Sequence, residues 1–341
     1  MRLTNTKPAA KILNYQSFIM ELATITHQKT KFYKDVLKGL RSFPKRLDSK
    51  YFYDATGDKL FQQIMNCDEY YLTNCEMEIL QQQSDNIISS IKNMEKDFDV
   101  IELGAGDCSK SIHLLKKIFE LDNSFTFFPI DISKHVIELI EKELPKQIKA
   151  LNIHGLNGEY IDMLKQSGAI SSRRKLALFM GSNIGNMNNE ESVAFLKEVR
   201  NCLKKDDYLL IGFDLKKDPS IILNAYNDKE GITREFNLNL LRRINRELNA
   251  DFVIEKFTHF PVYNPESGEC KSYLVSNCKQ RVFIGDTEFI DFDAYETIHT
   301  EISIKYSIKQ TNEMAAKSGF KPVEYFYDSK QWFADVLWKC I

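Results

Sequence analysis

Residues 98–106 read FDVIELGAG, a short and almost continuous apolar run that ends in two glycines. A run of this length without polar alternation is typical of a strand that is buried on both faces of a sheet. A glycine directly after such a strand lets the backbone turn tightly, and a second glycine lets it approach a ligand without a clash at Cβ. The stretch therefore predicts a buried strand with a ligand-binding turn at its carboxyl end.

The pattern of this strand recurs along the chain, between segments with helical spacing. Strands are predicted at 98–103, 125–131, 175–180 and 208–214, with two aromatic strands at 323–327 and 332–339, and helices are predicted at 76–94, 109–120, 134–143 and 308–318. Apolar strands that alternate with helices predict a parallel sheet covered on both faces. Right-handed crossovers then give a doubly wound α/β domain.

The alternation stops after Asp214. The segment 216–306 holds polar helices, including 237–249, and it then holds alternating stretches at 271–276 and 300–306. Strict alternation of apolar and polar residues is typical of half-buried antiparallel strands. We therefore expect a second, α+β domain, built from this insertion and the N-terminal segment.

Composition excludes several classes of protein. The 341 residues are 43% hydrophobic and 28% charged with a formal net charge of −2, so the chain lacks the basic excess of a nucleic-acid binder. No apolar run reaches the roughly 18 residues of a membrane span, and the N-terminus lacks the apolar core of a secretory signal. Because the 7 cysteines include no C-x-x-C pair and the 6 histidines no H-E-x-x-H motif, we predict a cytoplasmic protein without a metal.

The glycine turn continues to Ser109, where the dinucleotide pattern G-x-G-x-x-G would need a third glycine. Its absence disfavours a nicotinamide-dependent oxidoreductase, whereas S-adenosylmethionine has no phosphate and needs no such cradle. Asp131 ends the next predicted strand, where an acid can accept both ribose hydroxyl protons, or could instead compete with Ser133 to cap the following helix. Together the two features favour a nucleoside ligand.

No Ser/His/Asp, Cys/His or zinc constellation stands out in the sequence. Methyl transfer needs none, because a sulfonium activates its own methyl group and the protein has only to hold a lone pair in line with the S–CH3 bond. The sequence thus agrees with a methyltransferase that uses S-adenosylmethionine, and a nucleoside-binding scaffold without catalysis stays open.

More specific motifs occur in a fixed order along the chain. They are KYFYDATG (50–57), DEYYLT (68–73), ELGAG (102–106), GSNIGN (181–186), AYND (225–228) and TEIS (300–303). This series resembles the histidine-specific methyltransferase family, whose members trimethylate the α-amine of L-histidine to hercynine at the start of ergothioneine synthesis. The resemblance extends from about Tyr51 to Lys339, and GSNIGN and FYDATG are far more specific than the glycine turn.

With the strand pattern, this resemblance implies an α/β fold: a class I methyltransferase with a Rossmann-like doubly wound sheet and a second, discontinuous α+β domain. We predict that 75–215 with 307–341 bind S-adenosylmethionine, and that 1–74 with 216–306 bind the substrate. We also expect a monomer that acts on the small molecule L-histidine and on neither nucleic acid nor membrane.

The resemblance assigns roles to individual residues. Cofactor contacts are implied for Gly104, Lys110, Asp131 and the pair Glu159-Tyr160, which replaces the family's Asp-Phe and so adds a methylene and a hydroxyl. For the substrate, it implies that the carboxylate is held by Asn186 and Tyr226, that the imidazole is held by Tyr70, Glu301 and Ser303, and that Tyr53 and Gly181 lie beside the reacting amine.

The spacing of Glu301 and Ser303 is compatible with this role, since residues two apart on a strand point to one face. A carboxylate and a hydroxyl suit the two ring nitrogens of imidazole, although spacing alone favours the solvent side of a half-buried strand. Tyr53 and Tyr70 could attract the quaternary ammonium product, whereas Tyr71 is expected to anchor a loop on the core.

Ser272 stands where well-known members of the family have a methionine near the ring pocket. It leaves open another aromatic amino acid or an imidazole-containing amine as the substrate. Relatives in fungi use prenylated tryptophan and lack the Glu/Ser pair, so Glu301 and Ser303 favour histidine. No general base is assigned.

Overall fold

The computed structural model describes residues 31–91, 98–122, 124–285 and 287–341. The expectation about a secretory signal falls on residues 1–30, and the end of the predicted helix 76–94 falls on 92–97. Both lie outside the described residues.

Helices and strands alternate through the middle of the chain, as predicted. The helices are α1 (31–40), α2 (Ala55–Met65), α3 (Tyr71–Ser89), α4 (Ile112–Leu121), α5 (Lys134–Gln147), α6 (Tyr160–Ile170), α7 (Asn189–Cys202), α8 (Pro219–Ala225), α9 (Ile232–Leu248) and α10 (Ile308–Lys317). Short 3-10 turns span Ser49–Phe52, Asn183–Asn186 and Ile254–Lys256.

The strands include the predicted ones at 98–103 and 208–214 with the bounds expected. They are β1 (Lys45–Arg46), β2 (Phe98–Leu103), β3 (Thr126–Asp131), β4 (Asn152–Ile153), β5 (Leu156–Asn157), β6 (Arg174–Phe179), β7 (Tyr208–Asp214), β8 (Phe257–Tyr263), β9 (Glu269–Ser276), β10 (Gln280–Ile284), β11 (Glu288–Phe292), β12 (Thr297–Ile304), β13 (Phe320–Tyr327) and β14 (Phe333–Cys340). Sequence analysis did not identify β4 and β5, since a two-residue strand carries no periodicity.

The described residues divide into two units by their contacts. The larger unit comprises 60–233, 261–271 and 302–341, and the smaller unit comprises the described part of 1–59 with 234–260 and 272–301. Residues 60–74 and 216–233 therefore group with the residues predicted to bind cofactor, which differs from the predicted boundaries. The assignment of cofactor and substrate to separate domains stays a prediction.

The larger unit contains the predicted doubly wound sheet, in the order β13-β14-β7-β6-β2-β3-β4, with β5 also paired to β3. The strands from β7 to β4 are parallel, and β14 is antiparallel to both of its neighbours. Val100 and Phe127 pack in one core, whereas Ile101 and Phe128 pack in the other, so successive residues face opposite sides. Every residue of β2 is buried, as expected, and the parallel strands that alternate with helices confirm the expected α/β fold.

The chain of the smaller unit includes most of α9 and the antiparallel hairpin β10–β11. A further sheet has the order β1-β12-β9-β8, in which β1 is parallel to β12. Burial alternates along the whole of β9, as the alternating sequence at 271–276 predicts.

In the described residues, no helix is both long and apolar enough to cross a bilayer.

Candidate active site

The glycine turn follows β2 at the carboxyl edge of the sheet. Gly104 and Gly106 have φ of +75° and +55°, in the left-handed region that favours glycine. A Cβ on Gly104 would lie 2.8 Å from the hydroxyl oxygen of Tyr160, whereas a Cβ on Gly106 would meet no atom within 4 Å. The first glycine is thus required by crowding as well as by conformation, and the second faces open space in which a ligand could approach the backbone.

Asp131 ends β3 beside this turn. Its Oδ2 accepts a hydrogen bond from the N–H of Gly106 at 3.2 Å, and its Oδ1 accepts one from the N–H of Ser133 at 2.9 Å. Ser133, not Asp131, is the N-cap of α5. Burial raises the pKa of Asp131 above its usual range, and the backbone N–H donors oppose that rise. A carboxylate has about four acceptor positions, so capacity is left for ribose hydroxyls.

Glu159 and Tyr160 lie at the start of α6, directly beyond β5. The Tyr160 hydroxyl reaches the glycine turn, and burial, followed by the charge of Asp131, raises the pKa of its phenol. Tyr160 therefore remains a neutral donor and acceptor at physiological pH. Glu159 is exposed and holds the N-cap position of α6 without a side-chain capping bond.

Lys110 lies two residues before α4 and forms an ion pair with Glu76 of α3, whose side chain is fully buried. The other carboxylate oxygen of Glu76 accepts the backbone N–H of Gly181 at 2.7 Å. Burial and the charge of Glu76 raise the pKa of the neighbouring Asp335 carboxyl on β14. The role of Glu76 could not be predicted, because a glutamate inside an amphipathic helix carries no sign of a tertiary role.

A second glycine turn follows β6 in the GSNIGN string. Gly181 and Ser182 have φ of +73° and +56°, and the 3-10 turn Asn183–Asn186 comes next. The Asn183 amide nitrogen would lie 3.1 Å from a Cβ on Gly104 and 3.6 Å from one on Gly181, so it lies near both turns. Asn186 is exposed at the end of the string. Asn183 was not assigned a role from the sequence, because it occupies the variable position of the motif.

Tyr226 and Ser303, predicted to hold different groups of the substrate, are hydrogen-bonded to each other. The Tyr226 hydroxyl and Ser303 Oγ are 2.7 Å apart, and both residues are buried. The ammonium of Lys305 donates to Tyr226 at 2.7 Å and to Ser303 at 2.8 Å. Lys305 also pairs with Asp214 at 2.8 Å. Neither Lys305 nor Asp214 was identified from the sequence.

Asp214 ends β7 and accepts further donors. The Tyr71 hydroxyl lies 2.8 Å from its Oδ2, and Lys217 forms a second ion pair with it. Burial alone would raise the pKa of Asp214, but the Lys305 and Lys217 ammonium groups lower it, so the carboxylate is charged. Tyr71 also packs in the core, as expected. The ring of Tyr70 meets the ring of Tyr226 edge to face at a centroid distance of 6.4 Å.

Tyr53 and Glu301 belong to the smaller unit. Tyr53 is 38% exposed and packs edge to face on Phe236 at 5.8 Å. The Ser272 hydroxyl, which replaces the family's methionine, donates to Oε2 of Glu301 at 3.3 Å. This serine thus has a local role in its own unit, since it orients the carboxylate predicted to recognise a ring N–H.

Within the part of the chain that the structure describes, no group of three His, Cys, Asp or Glu side chains is arranged to hold a metal ion. The predicted absence of a metal stays a prediction.

Comparison with known proteins adds independent information. The profile of the family described as "Histidine-specific methyltransferase, SAM-dependent" matches residues 32–340. Histidine N-alpha-methyltransferase of Mycobacterium tuberculosis is 32% identical over 296 residues, which are 86% of this chain and 90% of that protein. Its namesake in Mycolicibacterium smegmatis is 31% identical with the same coverage. Ergothioneine biosynthesis protein 1 of Neurospora crassa is 31% identical over 84% of this chain but 32% of its own length.

Proposed function

Since the chain belongs to the histidine-specific, S-adenosylmethionine-dependent methyltransferase family, we propose that it methylates the α-amine of L-histidine. The proposed reaction takes place three times and forms hercynine. The structural observation that carries the proposal is the buried hydroxyl pair of Tyr226 and Ser303, backed by the Lys305 ammonium. Such a pair suits a small polar ligand. The choice of histidine rests on the names of the relatives.

The residues around the glycine turn fit the methyl donor. Gly106 leaves the backbone open, Asp131 has free acceptor capacity for ribose hydroxyls, and Tyr160 provides a neutral hydroxyl beside Gly104. We propose that these residues, with Lys110 and Glu159, bind S-adenosylmethionine. When bound, that molecule supplies an electrophilic methyl group.

For the amino acid, we propose that Asn186 and Tyr226 contact the carboxylate, and that Tyr70 and Ser303 contact the ring. The sequence-based roles of Glu301 in ring recognition and of Tyr53 beside the amine are retained as parts of the proposal. The observation that favours Glu301 is that the Ser272 hydroxyl donates to its carboxylate and so orients it.

The chain's task at the reacting centre is to position an uncharged amine. An α-amino group has a pKa of about 8 in model peptides, so a usable fraction is uncharged near neutral pH. Positioning alone can account for several kcal/mol of a barrier, on the order of 7–11 in well-oriented intramolecular reactions. We therefore propose no general base, and we place Gly181 and Tyr53 beside the amine as contacts.

The alternative is N-methylation of another aromatic amino acid or of an imidazole-containing amine. Ser272 favours this alternative, because a serine in place of a methionine changes the size and polarity of the position. The alternative predicts turnover of tryptophan, tyrosine or histamine with little turnover of histidine.

The test is calorimetry of the purified protein against a panel of amino acids and amines with S-adenosylhomocysteine present. Mass spectrometry of reactions with S-adenosylmethionine then counts the methyl groups added. Binding of histidine with gains of one, two and three methyl groups is expected. Preference for another panel member would support the alternative, and binding of S-adenosylhomocysteine without any methylated product would indicate a scaffold that has lost catalysis.

A further inference from the structure

The ammonium group of Lys305 is fully excluded from solvent in the larger unit. Its nitrogen lies 2.7 Å from the Tyr226 hydroxyl, 2.8 Å from Ser303 Oγ and 2.8 Å from Asp214 Oδ2. A lysine ammonium has three N–H donors, so these three acceptors use all of them. Although burial lowers the pKa of Lys305, the Asp214 carboxylate raises it, and the group stays charged.

This arrangement limits what the two hydroxyls can do. Each hydroxyl has one hydrogen, and the 2.7 Å separation of the two oxygens holds one of those two hydrogens between them. Lys305 takes one acceptor position on each oxygen. Whichever hydroxyl donates to the other, one hydrogen of the pair is not used in the bond between them.

We propose that Lys305 is a positioning residue that joins Tyr226 and Ser303 into a single hydrogen-bond donor toward the amino-acid substrate. The pair then gives one hydrogen to one acceptor atom of the substrate, and the other hydroxyl contacts the substrate only as an acceptor. The inference rests on the proposed function, because it takes these hydroxyls to face the substrate.

The number of hydroxyl hydrogens available to the substrate distinguishes a coupled pair from two hydroxyls that donate independently. A coupled pair offers the substrate one hydrogen in the wild type, one in Tyr226→Phe (that of Ser303), one in Ser303→Ala (that of Tyr226) and none in the double variant. Two independent donors would offer two hydrogens in the wild type, one in each single variant and none in the double variant. The number of hydrogens thus sets the pattern of KM values across the four proteins.

The first experiment measures KM and kcat for the preferred amino acid in these four proteins. At least one single variant should keep KM within about threefold of wild type, because the remaining hydroxyl still supplies the hydrogen, and the double variant should raise KM about tenfold or more. If both single variants raise KM tenfold and the double variant shows the product of the two, the inference is wrong.

The second experiment tests Lys305 itself. Lys305→Met should raise KM about tenfold with little change in kcat, since the two hydroxyls lose the group that orients them. Lys217→Met is the matched control, because Lys217 pairs with the same Asp214 carboxylate but has no hydrogen bond to Tyr226 or Ser303. Lys217→Met should keep KM within about twofold of the wild-type value.

Equal KM increases in the two lysine variants would overturn the inference, as would an unchanged KM in folded Lys305→Met. If that variant does not fold, Lys305→Met is combined with Asp214→Asn and Lys217→Met, which removes all three buried charges, and the triple variant is measured in its place. Failure of the proposed function is recognised separately, because it appears in the wild type as an absence of histidine turnover. In that case the KM values of the variants are measured with the amino acid that the wild type does methylate.

Discussion

The buried carboxylate of Glu76 accepts the backbone N–H of Gly181 at an N···O distance of 2.7 Å. Glu76 lies in the second turn of α3, and Gly181 lies in the second glycine turn, after β6. The same carboxylate pairs with Lys110, beyond the first glycine turn. One helical side chain therefore ties together the two turns at which cofactor and substrate contacts are proposed.

Replacing Glu76 by Ala should destabilise the protein by about 3 kcal/mol, because it leaves a buried N–H and the Lys110 ammonium without their partner. The measurement is the free energy of unfolding in urea. Asp85→Ala on the same helix is the control, because Asp85 is exposed and pairs at the surface with Lys117 at 3.4 Å. It should change the free energy by no more than about 0.5 kcal/mol. Equal losses in the two variants would refute the structural role of Glu76.

Asp131→Asn should weaken binding of S-adenosylhomocysteine about tenfold, since a charged acceptor of ribose hydroxyls becomes neutral. Isothermal titration calorimetry measures this dissociation constant. The control is Asp107→Asn, which changes an exposed acid of the same turn that accepts the N–H of Ser109 at 2.9 Å. This change should leave the dissociation constant unchanged. A dissociation constant that responds equally to both changes would argue against the ribose contact.

The pH dependence of stability should report on Glu102. Burial raises the pKa of this carboxyl from 4.5 to about 8, and the hydrogen bond from Ser111 opposes the rise only in part. Because the folded protein holds a proton that the unfolded chain releases, the contribution to stability is fully present below pH 4.5. It is lost as the pH rises through about 8.

Glu102→Gln keeps a neutral side chain of similar shape at every pH. The unfolding free energy of wild type minus that of this variant should therefore fall as the pH rises from about 4.5 to 8, by an amount on the order of a few kcal/mol. Urea unfolding at a series of pH values measures this difference. A difference that does not vary with pH would show that Glu102 is not held protonated.

Glu301→Ala should raise the KM for histidine at least tenfold, because a ring N–H would lose a charge-assisted hydrogen bond of about 1.5–3 kcal/mol. The turnover number should change less, since the role proposed for Glu301 is in binding. Steady-state kinetics separates the two quantities. An unchanged KM would remove Glu301 from the proposed site.

Ser272→Ala should have a smaller effect in the same direction, a rise in KM of a few-fold, because it removes one neutral donor from the Glu301 carboxylate. In the Glu301→Ala background the same change should have no further effect on KM, since the group that Ser272 orients is gone. If the two changes act independently of each other, Ser272 serves some other role.

The sheet and the first glycine turn could be predicted because their signals are local. The strand 98–103 is apolar at nearly every position and ends in glycine, and each of these properties is visible within nine residues of sequence. The roles of Gly104 and Asp131 were predicted in the same way, from their positions at strand ends, and they stay predictions. The helix bounds were less accurate, and α3 begins at Tyr71 instead of Glu76.

Other residues could not be found, because their partners are distant in the sequence. Lys305 follows an alternating strand and could equally have faced solvent, and Asp214 is one of several acids at strand ends. Their contact depends on how the chain returns from β12 to the end of β7. The domain boundaries at 74 and 216 were drawn from pattern changes, whereas the contact units divide at 59 and 233.

By itself, the sequence determined the class of fold and the family to which the chain belongs, and it predicted the turn at which we propose that a methyl donor binds. These follow from local periodicity, from glycines at strand ends and from ordered motifs. Only the tertiary structure decided which polar groups are buried together: Glu76 with Lys110 and Gly181, and Lys305 with Asp214, Tyr226 and Ser303. The physical reason is that a buried charge is stable only beside its partner, and the position of that partner is set by packing between distant segments of the chain.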